Sequence, residues 1–150
     1  MSEPTVEICQ IPPTFESLGL VADLLSEFDS FDHFEFGPLT RALSAQITNR
    51  HHVCAFRGKR LVGYCGLLPV RLVGAQAWLR NHGPLEPASS GTADAIALTV
   101  VAVREAGILR PLIRYCRRGF SDLPVFFKRS YGDGQRRARK SVVYNRTFRA

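Results

Sequence analysis

Ile96-Ala-Leu-Thr-Val-Val-Ala-Val103 runs without a spacer into Arg104-Glu-Ala-Gly-Ile-Leu-Arg-Pro-Leu-Ile-Arg-Tyr-Cys-Arg-Arg118. Eight uncharged residues rich in β-branched types, bounded by Asp94 and Arg104, predict a strand buried on both faces. The residues after the turn predict a basic amphipathic helix, with Arg110, Arg114, Arg117 and Arg118 on one face. Between the two, Gly107 lets the backbone approach a ligand closely. The free N–H groups of the next helix's first turn point at the same spot, an arrangement that suits phosphate or another anion.

Outward from this segment, His52 to Pro69 holds two strand-like runs, HVCAFR and RLVGYCGLLPV, separated by Gly58-Lys59, which predicts a two-residue hairpin. The glycines of Val62-Gly-Tyr-Cys-Gly66 suit close packing or a bulge. Thr5 to Ile11 alternates as a first strand, closed by Pro12-Pro13. Thr14 then caps a helix with Leu18, Val21, Leu24 and Leu25 on one side, and Pro38 starts a second helix through Ile47 with Leu39, Leu43 and Ile47 on one face. Between them Phe28, Phe31, Phe34 and Phe36 interleave with acids, without helical or strand period, as a loop that plugs the core or lines an apolar pocket. Arg71 to Arg80 fits a short strand or a helix, and Gly83 to Asp94 reads as loop. Pro124 to Arg129 and Lys140 to Phe148 read as strands joined through a turn at Tyr131-Gly132-Asp133-Gly134. The result is one domain over residues 1–150 with the order β, α, α, β-hairpin, β, α, β, β, an α+β chain with a mixed sheet.

The 150 residues carry a net charge of +7, divided unevenly. Met1 to Phe36 contains eight acids and no Lys or Arg, whereas Val103 to Ala150 contains thirteen Lys/Arg against three acids. Such a division points the basic end at an anionic partner: coenzyme A, an acidic carrier protein, nucleic acid or an anionic membrane. Arg136-Arg-Ala-Arg-Lys140 and the following mixture of aromatics and cations keep a nucleic-acid-binding module as the competing class. Cys9, Cys54, Cys65 and Cys116 stand far apart inside apolar runs, a pattern of small buried hydrophobes rather than a disulfide framework or a zinc site. No signal peptide or membrane-length run is visible, so a cytoplasmic protein without a metal is expected.

Arg104-x-x-Gly107-x-Leu109 resembles the Q/R-x-x-G-x-G/A signature of the GNAT superfamily of N-acetyltransferases, with leucine in place of the last small residue. The Val62 to Gly66 run resembles the third strand of the same superfamily. The resemblance implies an α/β/α sandwich-like fold, with a mixed, largely antiparallel sheet, flanking helices and backbone amides that hold the pyrophosphate of coenzyme A. Within that group the chain is most similar to the RTX-toxin-activating lysine acyltransferases, on the relation of His33 to Val62-Gly-Tyr-Cys65 and of Ala102–Leu109 to the basic helix. That family moves a fatty acyl chain from an acyl carrier protein to a lysine of a protein. Its essential aspartate has no counterpart here. Leu98 or Thr99 stands in that place, with Asp94 and Asp32 as alternative acids, so a catalytically degenerate adaptor is a further reading.

Acyl transfer to an amine needs a base for the ammonium, a route to the thioester carbonyl and donors for the oxyanion. His33 has the side chain for the first task and is the one histidine set among aromatic and acidic residues. Backbone N–H groups along Val101 to Val103 serve as oxyanion donors if the strand edge is open as in the resembling fold, and Tyr131 is the candidate acid for the leaving thiolate. Arg104, Gly107, Ile108, Leu109, Arg110 and Arg114 are the candidates for holding the donor, an acyl-CoA or acyl carrier protein thioester. A protein or peptide supplies the amine, and a homodimer is an expected assembly. The phenylalanines suit walls for a long acyl chain, buried at about 0.8 kcal/mol per methylene.

Overall fold

The computed structural model describes residues 4–89, 91–119, 123–130 and 136–143. Six strands form one sheet in chain order: β1 (Val6–Cys9), β2 (His52–Arg57), β3 (Arg60–Val70), β4 (Ala95–Val103), β5 (Val125–Ser130) and β6 (Arg136–Val143). Neighbours are antiparallel except β4 and β5, which are parallel because a helical crossover separates them. The helices are α1 (Phe15–Leu25), α2 (Phe36–Thr48), α3 (Leu72–Leu79) and α4 (Leu109–Gly119).

Each face of the sheet is covered for a readable reason. Thr14 Oγ1 accepts the Ser17 N–H at 3.1 Å and starts α1. Val21, Leu24 and Leu25 of α1 then pack with Leu43 and Ile47 of α2 on Leu61, Tyr64, Val100 and Ala102. On the other face Ile108, Leu112 and Cys116 meet Val53, Ala55, Val62, Cys65 and Leu98. Leu112 is fully buried there, and burial of a side chain of that size contributes about 1.5–3 kcal/mol. The missing side chain of Gly63 allows this contact: a Cβ there would lie 2.9 Å from Ile108 Cγ2 and 3.0 Å from Leu112 Cδ1. Ala75 and Trp78 of α3 cover Ala95, Ala97 and Phe126. These alanines alternate with Ile96 and Leu98, so α3 lies on the α1/α2 side, and the layers are helix, sheet, helix.

Several boundaries depart from the sequence reading. The first strand stops at Cys9 because Gln10 turns its amide to the Arg50 and His52 carbonyls and the Ile11 N–H goes to His52 Nε2 at 3.0 Å. The second helix begins at Phe36, ahead of Pro38, which fits a first helical turn because its missing N–H would have no partner there. The Arg71–Arg80 segment is helical, its first N–H, that of Leu72, bonded to the Asp94 carboxylate. The last strand begins at Arg136 and pairs directly with β5. Its run of cations hid that start, since the pattern reading followed the apolar residues further on. The phenylalanine loop is divided: Phe28 and Phe31 pack against the core, the Phe34 ring lies tilted at 36° to that of Phe31 with centroids 5.4 Å apart, and Phe36 is 85 % exposed. Phe36 therefore lines nothing in the core.

The hairpin reads as expected, with Gly58 at φ 63° in the turn. Two bulges shape the middle of the sheet, and the one between β3 and β4 matters most. Gly66 pairs with Val100 and Leu67 with Leu98, so Thr99 is the extra residue. A Cβ on Gly66 would sit 1.9 Å from Gln46 Oε1, because the Gln46 carboxamide fills that space. At the end of β2, Arg57 holds Glu105, the residue two past β4, through Nε to Oε1 at 3.1 Å and Nη2 to Oε2 at 2.6 Å.

Gly66→Ala should lower stability by about 1–3 kcal/mol in urea unfolding, as overpacking does. The cost should shrink when Gln46→Ala is added, since the two groups compete for one space. Hydrogen bonding to Arg57 holds the Glu105 carboxyl below its ordinary range. A depressed folded value means stability that is present above the unfolded value and lost as pH falls through the folded one. The wild-type melting temperature should thus fall in that acid window more steeply than that of Glu105→Gln. Parallel acid slopes would refute the coupling.

Candidate functional site

Parallel pairing of β4 with β5 lasts three residues, Ile96 to Leu98 against Val125 to Phe127. From Thr99 to Val103 that edge of β4 has no partner strand among the described residues. The Arg104 N–H donates to Val62 O on β3 at 2.8 Å. By strand alternation the N–H and C=O groups of Val103 and Val101 then face away from β3, into the gap. Their side chains pack on the α4 face, so it is their main chain that the gap can use.

The gap leads to the start of α4. A short 3₁₀ turn (Ala106–Ile108) precedes the helix, and Glu105 stands in extended conformation at its cap without a side-chain bond to it. A carboxylate at this position ordinarily occupies the free N–H groups; here Arg57 has drawn it away. Ala106, Gly107, Leu109 and Arg110 are exposed, and nothing lies within 4 Å of where a Gly107 Cβ would stand. Arg110, Arg114 and Arg118 form an exposed stripe at four-residue spacing that makes no ion pair among the described residues.

Not every expected residue serves as expected. Arg104 was expected to grip a phosphate, but its Nε donates to Leu61 O at 3.0 Å and its Nη1 pairs with Glu27, while its N–H is spent on Val62. It is a brace. Ile108 is a core residue, 3 % exposed, and its N–H bonds Glu105 O at 3.2 Å. Arg117 is half-buried, off the exposed stripe. Asp94, an alternative acid, lies at the other end of β4 and is held by Arg71 and the Leu72 N–H.

His33 is exposed in the segment between α1 and α2. The Glu27–Arg104 pair ties the start of that segment to the end of β4. Tyr131 and the turn expected around it lie outside the described residues. His52, by contrast, is buried and structural. Its Nε2 accepts the Ile11 N–H, its Nδ1 donates to Gln46 O at 3.1 Å, and burial lowers its pKa.

Above the gap, at the bulge, a polar chain crosses three elements. Tyr64 donates to Gln46 Oε1 at 2.7 Å and Gln46 Nε2 donates to Thr99 Oγ1 at 3.0 Å. Gln46 is 6 % exposed and Tyr64 fully buried, whereas Thr99 is half-buried. Burial raises the Tyr64 phenol well above its ordinary value, so it remains a proton donor. The sequence reading passed over this chain. Its signal was Gln46 seven residues after Leu39 and three after Leu43, a polar residue on the apolar stripe of α2. Thr99 was likewise the one hydroxyl in an eight-residue apolar strand.

No protein-family model and no curated protein matches the chain by sequence. Solved structures do match. Diaminobutyrate acetyltransferase from Paenibacillus lautus, in complex with L-2,4-diaminobutyric acid and coenzyme A, superposes with a TM-score of 0.57 at 12% identity, over 84% of this chain and 66% of that one. This chain therefore spans just under two thirds of that enzyme's length. A GNAT-family acetyltransferase from Streptococcus agalactiae gives 0.58 at 10% identity, over 89% of this chain and 80% of that one. The loading GNAT-like domain of CurA from Lyngbya majuscula gives 0.57 at 10% identity, over 86% and 68%. With its α/β/α layers, largely antiparallel sheet and opened β4–β5 edge, the chain has the fold of the GNAT acetyltransferases.

Proposed function

We propose that this protein transfers an acyl group from a thioester of coenzyme A or of an acyl carrier protein to an amine. One observation carries the reading: β4 parts from β5 after Leu98, and the freed main chain leads directly to a helix start left without its cap. A thioester donor matches both parts. Its amide-rich pantetheine arm can pair with the main chain of Val101 and Val103, as an added strand would. Its phosphates suit the N–H groups of Ala106 and Gly107 and the exposed guanidiniums of Arg110 and Arg114. The exposed Arg110, Arg114 and Arg118 stripe, without an ion pair among the described residues, equally suits an acidic carrier protein.

In the reaction the amine nitrogen attacks the thioester carbonyl carbon, the C–S bond breaks, and the sulfur leaves as thiolate. A main-chain N–H at the open edge of β4 meets the oxyanion that develops. His33 takes the amine proton, from a loop held beside β4 by the Glu27–Arg104 pair. Tyr131 is the proposed acid for the thiolate. The finer reading, fatty acyl transfer to a lysine of a protein or peptide, rests on the resemblance at His33 and Val62–Cys65. Leu98 or Thr99 departs from it, standing where that family has an acid.

Coenzyme A should bind one to one in calorimetry. Gly107→Val should weaken it by at least about tenfold, or ~1.4 kcal/mol, with little change in melting temperature because the position is open. Unchanged affinity would remove the phosphate site from the turn. With an acyl-CoA and an amine, His33→Ala should leave donor affinity intact and slow transfer by about 10²–10⁴-fold; full activity in that variant would exclude His33 as the base.

A further inference from the structure

We infer that Thr99 is a side-chain hydrogen-bond donor to the acyl carbonyl, aimed by Gln46, an inference that rests on the acyl-transfer reading. Thr99 is the bulged residue of β4 and the first residue past the last β4–β5 pair, so it stands where the gap begins. A donor thioester that enters along Val103 and Val101 reaches this point with its far end.

The direction of the polar chain decides what Thr99 can do. A buried phenol hydrogen needs an acceptor, and Gln46 Oε1 is the one within reach of Tyr64. That fixes the carboxamide with its NH₂ group toward Thr99, which makes Thr99 Oγ1 an acceptor from Gln46. With the amide reversed, the Tyr64 hydrogen would face an NH₂ group. The Thr99 hydroxyl hydrogen is therefore left to point elsewhere, and its nearest acceptor, Gly66 O, lies at 3.5 Å. A contact that long is weak, so a ligand carbonyl at ordinary hydrogen-bond distance displaces it without loss. The Gln46 carboxamide is packed into the space above Gly66, and the main chain that carries it is held in turn by His52 Nδ1, which donates to the Gln46 main-chain carbonyl. Polarisation by Gln46 also makes the Thr99 hydroxyl a better donor. No proton leaves Thr99: it stabilises charge on the carbonyl oxygen as the amine attacks. Gln46 is a positioning residue.

Acetyl-CoA labelled at its carbonyl carbon, bound to the intact protein, reads this bond directly in difference infrared spectra. The wild type should shift the carbonyl stretch to lower frequency. Thr99→Val, close in shape but without the hydroxyl, should restore part of the free-ligand frequency, while Thr99→Ser keeps the shift. In turnover Thr99→Val should lower kcat by about 10²-fold with KM for the donor little changed, as the loss of one oxyanion donor does. If Thr99→Val is poorly folded, Thr99→Ala supplies the same comparison. Bound acetyl-CoA with an unshifted carbonyl in the wild type, or an equal shift in wild type and Thr99→Val, overturns the role of Thr99 and leaves the cleft reading standing. Failure of the wild type to bind either acetyl-CoA or an acetyl thioester of an acyl carrier protein overturns both.

Discussion

Gln46 occupies the volume that a side chain at residue 66 would need, and much of the molecule follows from that exclusion. Because Gly66 yields the space, α2 can press its carboxamide onto the middle of the sheet instead of standing off it. Because the carboxamide is then buried, both its ends must be satisfied, and Tyr64 and Thr99 satisfy them. Thr99 reaches Gln46 as the extra residue of a bulge, and a bulge adds local twist to the strand that carries it. Beyond that twist β4 diverges from β5. The opening in the sheet is thus tied to a contact made on the other side of β4, through a residue from a helix.

The exposed end of the opening is kept vacant by a second set of contacts. A helix start next to a glutamate would ordinarily be closed by it, and the N–H groups would have no spare capacity. Arg57 removes Glu105 from that position by a two-pronged bond, and Arg104 is removed from the solvent by Glu27 and the Leu61 carbonyl. The acidic first third of the chain is therefore not only a counterweight to the basic last third. One of its carboxylates, Glu27, ties the start of the segment between α1 and α2 to Arg104, just past β4.

What the sequence made legible follows the range of the forces involved. Short-range signals read well: the Thr14 cap, the Gly58 turn and the unbroken apolar run of β4 each act within a few residues. Gly63 and Gly66 were readable as close-packing or bulge positions, though not what would approach them, since Ile108 and Gln46 are far away in the chain. Gln10 ending β1, and Asp94 starting α3, were hidden for the same reason: each is a side chain acting on backbone many residues distant. In the candidate site, Gly107 and the stripe of Arg110 and Arg114 were legible from local pattern and do lie exposed beside one another. Arg104 misled because a cation at a turn looks the same in sequence whether it awaits a ligand or a distant glutamate.

The same division explains why a chain can share this fold with so little sequence in common. A cleft built from main-chain groups asks almost nothing of the residues that supply them. Val101 and Val103 present the same N–H and C=O groups that any strand residue would, and their side chains are chosen for α4 rather than for a ligand. What the arrangement does demand is negative: no side chain at residue 63, where a Cβ would meet Ile108 and Leu112, and none at residue 66, where it would meet Gln46, two constraints that only glycine meets in full. Two glycines in one strand carry too little information to define a sequence family. They are enough to let two helices close on a sheet and leave its edge open. The residues that differentiate one such cleft from another must then be the few side chains beside it, and in this protein the bulge sets one of them, Thr99, where β4 leaves β5, bonded to a buried amide.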